Sequence, residues 1–403
     1  MPASPSPVSP VARRALLAAT VGYAMDGFDL LILGFMLEPI SADLGLDRAQ
    51  AAGLVTWTLI GAVGGGLLFG VLSDRYGRVR VLSWSILVFA LFTGLCAFAR
   101  GYGDLLLYRT LAGFGLGGEF GLGMALVAET WPAGMRARAC SYVGLGWQAG
   151  VLMAALLAPA LLPHIGWRGV FLVGVIPSLV AFVIRRHVEE PEIFRAAAQG
   201  RDLAAPLRLL VADTATTRAS LGMVILCAVQ NFGYYGLMVW LPTYLSSQFG
   251  FSLSKSALWT IVTVVGMAAG VLVFGHMADR YGRRPAFVTF QLGAFSMVLL
   301  YAQLSDPWAL LVAGGVMGLF VNGMIGGYGA LLSELYPTEA RATAENVLFN
   351  IGRGIGGWGP VVIAALAARH SFAHAIALLA GIYLLDICAT LLLIPERRGA
   401  ALD

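Results

Sequence analysis

Long apolar runs, broken by short charged or turn-forming stretches, set the pattern of this chain. Residues 49–73, 81–99, 139–163, 219–254, 285–305 and 307–333 contain no Asp, Glu, Lys or Arg. Each is close to or beyond the roughly 20 residues that span hydrocarbon as a helix. Dividing the chain at its charges and turn residues predicts twelve helices, over 14–39, 50–73, 79–99, 104–128, 137–162, 168–186, 218–245, 255–278, 284–303, 308–333, 341–366 and 371–394. The pattern is interrupted inside the first of them. Asp26 and Asp29 stand in the otherwise apolar stretch Tyr23-Ala-Met-Asp-Gly-Phe-Asp-Leu-Leu-Ile-Leu-Gly34, although a charge at the bilayer centre costs roughly 2.5–3.5 kcal/mol on insertion scales. Acids kept at such a position face a protein interior or a water-filled path and have a function there.

Composition sharpens the class. The chain is 59% hydrophobic and 12% charged, against roughly 45–50% apolar residues in soluble proteins, so the expected fold class is all-α integral membrane. Loops rich in Lys and Arg stay cytoplasmic. Arg13 and Arg14, the 75–80 loop, Arg136 and Arg138, the 185–218 segment, the 280–284 loop, Arg341, Arg397 and Arg398 hold most of the 26 basic residues. Arg48, Arg100, Arg168, Lys255 and Arg369 mark the other side, so both termini are expected inside. The organisation this implies is a cytoplasmic tail over 1–13, a six-helix bundle over 14–186, a connector over 187–217, a second bundle over 218–394 and a tail over 395–403. Arg, Glu and Asp mixed with Leu and Ala in the connector read as short amphipathic helices on the membrane surface. The opening Met1-Pro-Ala-Ser-Pro-Ser-Pro is a Pro/Ser tail without a cleavage signal.

Cys96, Cys140, Cys227 and Cys388 fall in spans without CxxC spacing and read as packing residues. His164, His187, His276, His370 and His374 do not cluster, so no metal is expected. Gly352 to Gly357 has the G-x-G-x-x-G spacing but lies in lipid with no strand before it, so it reads as close helix packing. No cofactor, no enzyme activity and no nucleic-acid partner is expected.

Gly70-Val-Leu-Ser-Asp-Arg-Tyr-Gly-Arg78 recurs 205 residues later as Gly275-His-Met-Ala-Asp-Arg-Tyr-Gly-Arg283. The same offset carries Glu129-Thr-Trp-Pro132 and Arg136 onto Glu334-Leu-Tyr-Pro337 and Arg341. Two motifs in one register identify a duplicated half, and repeats of this kind place a substrate near the bilayer midplane between the halves. The doubled G-x-x-x-D-R-x-G-R loop, in a match running from the first span to the twelfth, resembles the major facilitator superfamily. Asp26-Gly-Phe-Asp29, and the fourth-span stretch from Arg109 to Glu119, are similar to the aromatic acid:proton symporter and metabolite:proton symporter group. The resemblance implies twelve transmembrane helices in two pseudo-symmetric six-helix bundles, a monomer, and a place in a bacterial inner membrane. It also implies charge clusters at the cytoplasmic helix ends, made by Asp74, Arg75 and Arg78 with Asp279, Arg280 and Arg283. Their expected partners are Glu129 with Arg136, and Glu334 with Arg341. Positive-inside anchoring alone would explain the arginines, but not an Asp and a Gly at fixed spacing.

Residues three or four apart share a helix face, so Tyr23, Asp26 and Asp29 form one polar stripe. Arg109 and Glu119 on the fourth span are about 15 Å apart along the axis. That is too far for a fixed pair, so their partners are expected on other helices of the same half, the first span foremost. A buried carboxyl that gains and loses an arginine can load and release a proton, because burial disfavours its charge and guanidinium favours it. Asp26, Asp29 and Glu119 are therefore the expected proton carriers, with Arg109 setting their affinity; a permanently ionised structural network is the alternative. In the second half Asn231 matches Asp26, Met324 matches Glu119, and Arg353 matches Gln148. Acids in the first half and a cation in the second suggest proton handling on one side and anion recognition on the other.

Guanidinium offers a planar fork that binds a carboxylate bidentately. Arg353 is accordingly the expected substrate clamp, with Asn350 a second donor; an inter-helix salt bridge is the alternative. Gln230, Asn231, Tyr234 and Tyr235 concentrate polar and aromatic groups that are costly in lipid and suit a ring with a polar substituent. Tyr23, Asn322, Tyr328, Gln148, Trp147 and Trp57 complete the candidate lining, although any one aromatic reads first as helix packing or an interfacial anchor. The function expected is proton-coupled import of an organic carboxylate, preferably an aromatic acid, with protons and the lipid bilayer as the other partners. A symporter of a small monocarboxylate or sugar acid, an efflux transporter and a non-transporting sensor stay open.

Overall fold

The computed structural model describes residues 8–186, 188–197, 205–250, 253–369, 371–400 and 402. The start of the N-terminal tail, His187, His370 and the middle of the connector lie outside them. The first half contains α1 (Pro10–Leu44), α2 (Arg48–Tyr76), α3 (Arg78–Cys96), α4 (Tyr102–Leu116), α5 (Glu119–Thr130) and α6 (Arg136–Arg185), with a 3-10 turn at Ala133–Met135. Short helices α7 (Glu192–Ala197) and α8 (Ala205–Leu209) follow in the connector. The second half contains α9 (Thr214–Phe249), α10 (Leu253–Tyr281), α11 (Arg283–Tyr301), α12 (Pro307–Gly323), α13 (Ile325–Leu335), α14 (Arg341–Gly356), α15 (Gly359–Arg369) and α16 (Phe372–Leu393).

Ten described stretches are long and apolar enough to cross a membrane. One of them, Ala133–Val183, holds two crossings, and α11 supplies the last of twelve. The two crossings of α6 meet at Gly166, where φ is 63° and ψ 175°, a left-handed backbone open to glycine without steric cost. Three crossings that read as continuous are broken: α4 from α5 at Gly117–Gly118, α12 from α13 at Met324, and α14 from α15 at Gly357–Trp358. The first break has a chemical consequence. It makes Glu119 the opening residue of α5, where unsatisfied N–H groups and the helix dipole favour negative charge.

The glycines of the doubled loop are needed for the turn. Gly77 and Gly282 both take φ 110° before α3 and α11, and neither can cap the helix that follows. Acids from far along the chain do so: Glu190 Oε1 accepts from Arg80 N at 3.0 Å, and Glu396 accepts from Arg283 N and Arg284 N at 3.0 and 2.8 Å. Within the halves α1 packs along α6, α2 along α4, α10 along α12, and α9 along α16. The halves meet where α2, α5 and α6 face α10, α13 and α14. Small residues allow that approach, since a Cβ on Gly66 would lie 2.3 Å from Asn350 Nδ2. Phe98, Leu156, Val265, Val312 and Leu392 are more than half exposed on the outside, as a lipid-facing surface requires.

Candidate functional site between the halves

The polar stripe of α1 divides between two arginines. Arg353 of α14 reaches across the interface and grips Asp26 with both terminal nitrogens, Nη1 to Oδ2 at 3.1 Å and Nη2 to Oδ1 at 3.0 Å. Its Nε donates to Tyr235 Oη at 3.3 Å, and the guanidinium lies over the Trp147 ring at 5.4 Å. Trp147 Nε1 in turn donates to Tyr234 Oη at 3.0 Å, and Tyr23 packs between Trp147 and Phe120 with ring centroids 5.4 and 5.3 Å away. Tyr23, Trp147, Gln230, Asn231, Tyr234, Tyr235, Asn322 and Arg353 line one narrow cavity, joined by Ile325 and Phe349. Gln230 Nε2 donates to Asn322 Oδ1 at 2.7 Å. That bond leaves Gln230 Oε1 and Asn322 Nδ2 without partners, one acceptor and one donor.

Four of the expected lining residues are elsewhere. Asn350 Nδ2 donates to the carbonyls of Gly117 and Asn346 at 2.9 and 2.8 Å, tying the break in the fourth crossing to the opposite half. Gln148 is buried with its amide unpartnered and is not part of the lining. Tyr328 is buried in the second half with its hydroxyl donating to Leu226 O at 3.2 Å. Trp57 is 45% exposed on α2.

Arg109 pairs with Asp29 at 3.0 and 2.7 Å, with Thr93 Oγ1 donating to the same carboxylate at 3.3 Å. The first span does supply this partner. Glu119 is different: Arg185, at the end of α6, reaches it at 2.5 and 3.2 Å, and Ser85 Oγ donates at 3.0 Å. By its place in the sequence Arg185 reads as a loop arginine; the fold returns it to the bundle. One signal could have revealed it. A Cβ on Gly22, one turn before Asp26, would lie 2.0 Å from Arg185 Nη2 and 2.5 Å from Glu119 Oε2, so α1 is bare where the pair passes beneath it. The second half also keeps buried acids that its register did not suggest. Glu345 on α14 accepts a short hydrogen bond from Ser333 Oγ, and Asp386 on α16 is fully buried.

At the Arg-rich end the doubled motifs interlock. Asp74 accepts from the Ala342 and Thr343 backbone N–H groups at the start of α14 at 3.3 and 2.8 Å. Asp279 accepts from Ala137 and Arg138 at the start of α6, both at 3.1 Å. Each aspartate thus caps a helix N-terminus of the other half, where the dipole favours an anion. Arg78 pairs with Asp74 and Glu129 at 3.0 and 2.9 Å, and Arg283 with Asp279 and Glu334 at 3.1 and 2.7 Å. The partners named for the clusters also cross between the halves: Arg341 reaches Glu129 at 2.8 Å, and Arg136 reaches Glu334 at 2.8 Å. Arg75 and Arg280 stay outside the clusters, stacked on Tyr76 and Tyr281 at 5.4 and 5.3 Å. Among the described residues no group of three His, Cys, Asp or Glu is placed to hold a metal ion.

The family model of the Major Facilitator Superfamily matches residues 19–272 and 245–402. A Haemophilus influenzae protein described only as a metabolite transport protein is 63% identical over 397 residues, covering 97% of this chain and 98% of its own. A Cupriavidus pinatubonensis protein described as a probable 4-methylmuconolactone transporter is 34% identical over 404 residues, covering 98% of this chain and 93% of its own. Among solved structures, the proton:xylose symporter XylE bound to 6-bromo-6-deoxy-D-glucose superposes with a TM-score of 0.80 at 19% identity over 98% of each chain, a likeness of fold.

Proposed function

The chain belongs to the major facilitator superfamily of membrane transporters, and from that premise we propose that it imports an organic carboxylate, preferably an aromatic acid, together with protons. The observation that carries this reading is the Asp26–Arg353 pair, which joins the two halves at the wall of the aromatic cavity. Arg353 presents one bidentate fork. A substrate carboxylate and the Asp26 carboxylate require the same nitrogens, and holding both there would bury two anions against one cation. Protonating Asp26 frees the fork for the cargo and keeps the buried charge balanced. When the proton leaves, Asp26 recaptures Arg353 and displaces the anion.

Trp147, Tyr23, Tyr234 and Phe349 offer flat apolar faces to a ring, while the free atoms of Gln230 and Asn322 can serve a polar substituent. Asp29 with Arg109 ties α1 to α4, and Glu119 with Arg185 ties α5 to α6 beneath Gly22, so that Asp26 meets its partner when the halves close. The Arg-rich end, on this reading, faces the cytoplasm. Its ion pairs latch the bodies 14–186 and 218–394, and rocking of these bodies alternately breaks and remakes the latch. One monoanion moving with one proton is electroneutral and driven by the pH gradient; each further proton adds about 2.3 kcal/mol per 100 mV.

A panel of benzoates, hydroxybenzoates, nicotinate, lactate, pyruvate and sugar acids, screened by thermal shift, identifies the cargo, since ligands of the native state raise its apparent stability. Asp26→Asn is then tested in proteoliposomes. Counterflow should persist while accumulation driven by an imposed pH gradient is lost. Uphill accumulation equal to that of the wild type would overturn the reading.

A further inference from the structure

One buried acid takes no part in this exchange. Asp386 on α16 is fully buried and pairs with no cation; among the described residues only the Gln291 side chain comes within hydrogen-bonding reach of its carboxyl, without making a close bond. The other acids buried among the described residues each hold an arginine, a hydroxyl or a helix N-terminus. The groups facing Asp386 are neutral: Cys227 from α9, Tyr328 from α13, Gln291 from α11, and Tyr383 from its own helix. No charged group of α15 reaches it among the described residues. The nearest basic residues along its neighbours, Arg283 and Arg284 on α11 and Arg218 on α9, are at the Arg-rich ends, about 10 Å or more along the helix axes.

The neighbouring atoms complement a neutral acid. Gln291 Nε2 donates to Thr390 Oγ1 at 2.7 Å, and its Oε1 has no partner. Tyr383 Oη is also unpartnered and lies against α9 at Gly233, where a Cβ would stand 2.3 Å from it. An ionised Asp386 would be a buried charge without a counter-ion, an arrangement that proteins rarely sustain. Protonated, Asp386 can donate to the idle Oε1 of Gln291, the side chain within its hydrogen-bonding reach.

We propose that Asp386 is a second proton-binding site, seated with Gln291 and Tyr383 behind α9 and loaded and released in each transport cycle. α9 couples it to the cargo. Gln230, Asn231, Tyr234 and Tyr235 face the cavity from this helix, while Cys227 and Gly233 carry the Asp386 cluster. A tilt of α9 that opens the cavity therefore also alters the enclosure of the carboxyl. Two protons with one monoanion make the cycle electrogenic, with one net positive charge moving inward.

The inference rests on the proton-coupled reading above, and one measurement separates the two. The membrane potential at which flux of a benzoate probe reverses, at fixed pH and benzoate gradients in proteoliposomes of the full chain, gives the number of protons per anion. Two are expected for the wild type, whose flux then reverses at a defined potential, and one for Asp386→Asn, whose electroneutral flux no potential reverses, with half-saturation in counterflow changed less than twofold. An equal count in both proteins overturns the second site and leaves symport standing; a count of zero in the wild type removes symport itself. Infrared difference spectra provide a readout that needs neither cargo nor a stable amide variant. A protonated-carboxyl band at pH 7 should disappear in Asp386→Asn and move in Asp386→Glu, and its absence from the wild type overturns the proposal.

Discussion

At the Arg-rich end Arg78 holds Glu129 and Arg341 crosses to it, and the same arrangement recurs with Arg283, Glu334 and Arg136. At the centre, Arg353 holds Asp26, while the positions that match them by repeat, Gln148 and Asn231, are both neutral. Closing one end of a two-fold assembly is a symmetric task, since each half must present the same cap and the same cation to the other. Gripping a single asymmetric cargo is not. On the proposed reading, opposite charges on facing halves mark the place where the duplicated units have diverged in use.

Removing Arg353 attacks the asymmetric region and has the largest expected effect. Arg353→Ala leaves a buried carboxylate without its counter-ion, with a stability loss of about 3–5 kcal/mol. Uptake should fall by about a hundredfold, matching roughly 3 kcal/mol from a bidentate pair of charged hydrogen bonds. Adding Asp26→Asn should restore thermal stability but not transport; a double variant no more stable than Arg353→Ala would show the two groups to be uncoupled. Arg353→Lys should weaken cargo binding as well, and unchanged affinity in a folded protein would remove the clamp.

Gly22→Ala tests the hidden pair beneath α1. The added methyl must displace Arg185 or Glu119, with overpacking of about 1–3 kcal/mol, so the unfolding temperature in detergent should drop while the dependence of uptake on pH keeps its shape. An unaltered unfolding temperature would mean that the pair does not pass there. The smallest effect is expected at the latch, where Glu129→Gln and Glu334→Gln each remove one of two equivalent charges. Spin labels at positions 75 and 280, exposed beside the clusters, should report the same modest shift toward an open end for both, about 1 kcal/mol or severalfold in population. Clearly unequal shifts would break the symmetric account of that region.

Much of this architecture was legible in the chain. Twelve crossings follow from the length of apolar runs, the duplicated half from two motifs in one register, and the special standing of Asp26, Asp29 and Arg353 from charge where lipid is expected. These are properties of short stretches or of spacing, and they persist however the helices are turned. Partner choice is not of that kind. Arg353 meets an aspartate 327 residues away, Arg185 leaves the loop arginines to join Glu119, Asn350 turns from the cavity to the Gly117 carbonyl, and Trp57 faces outward. The breaks at Gly117–Gly118, Met324 and Gly357–Trp358 were equally hidden, because glycine serves continuous helices in membranes as well as interrupted ones. What the sequence determined is which groups are too costly to leave in lipid. Which of them meet was decided by the rotation and crossing of whole helices, a result of long-range packing that no local pattern records.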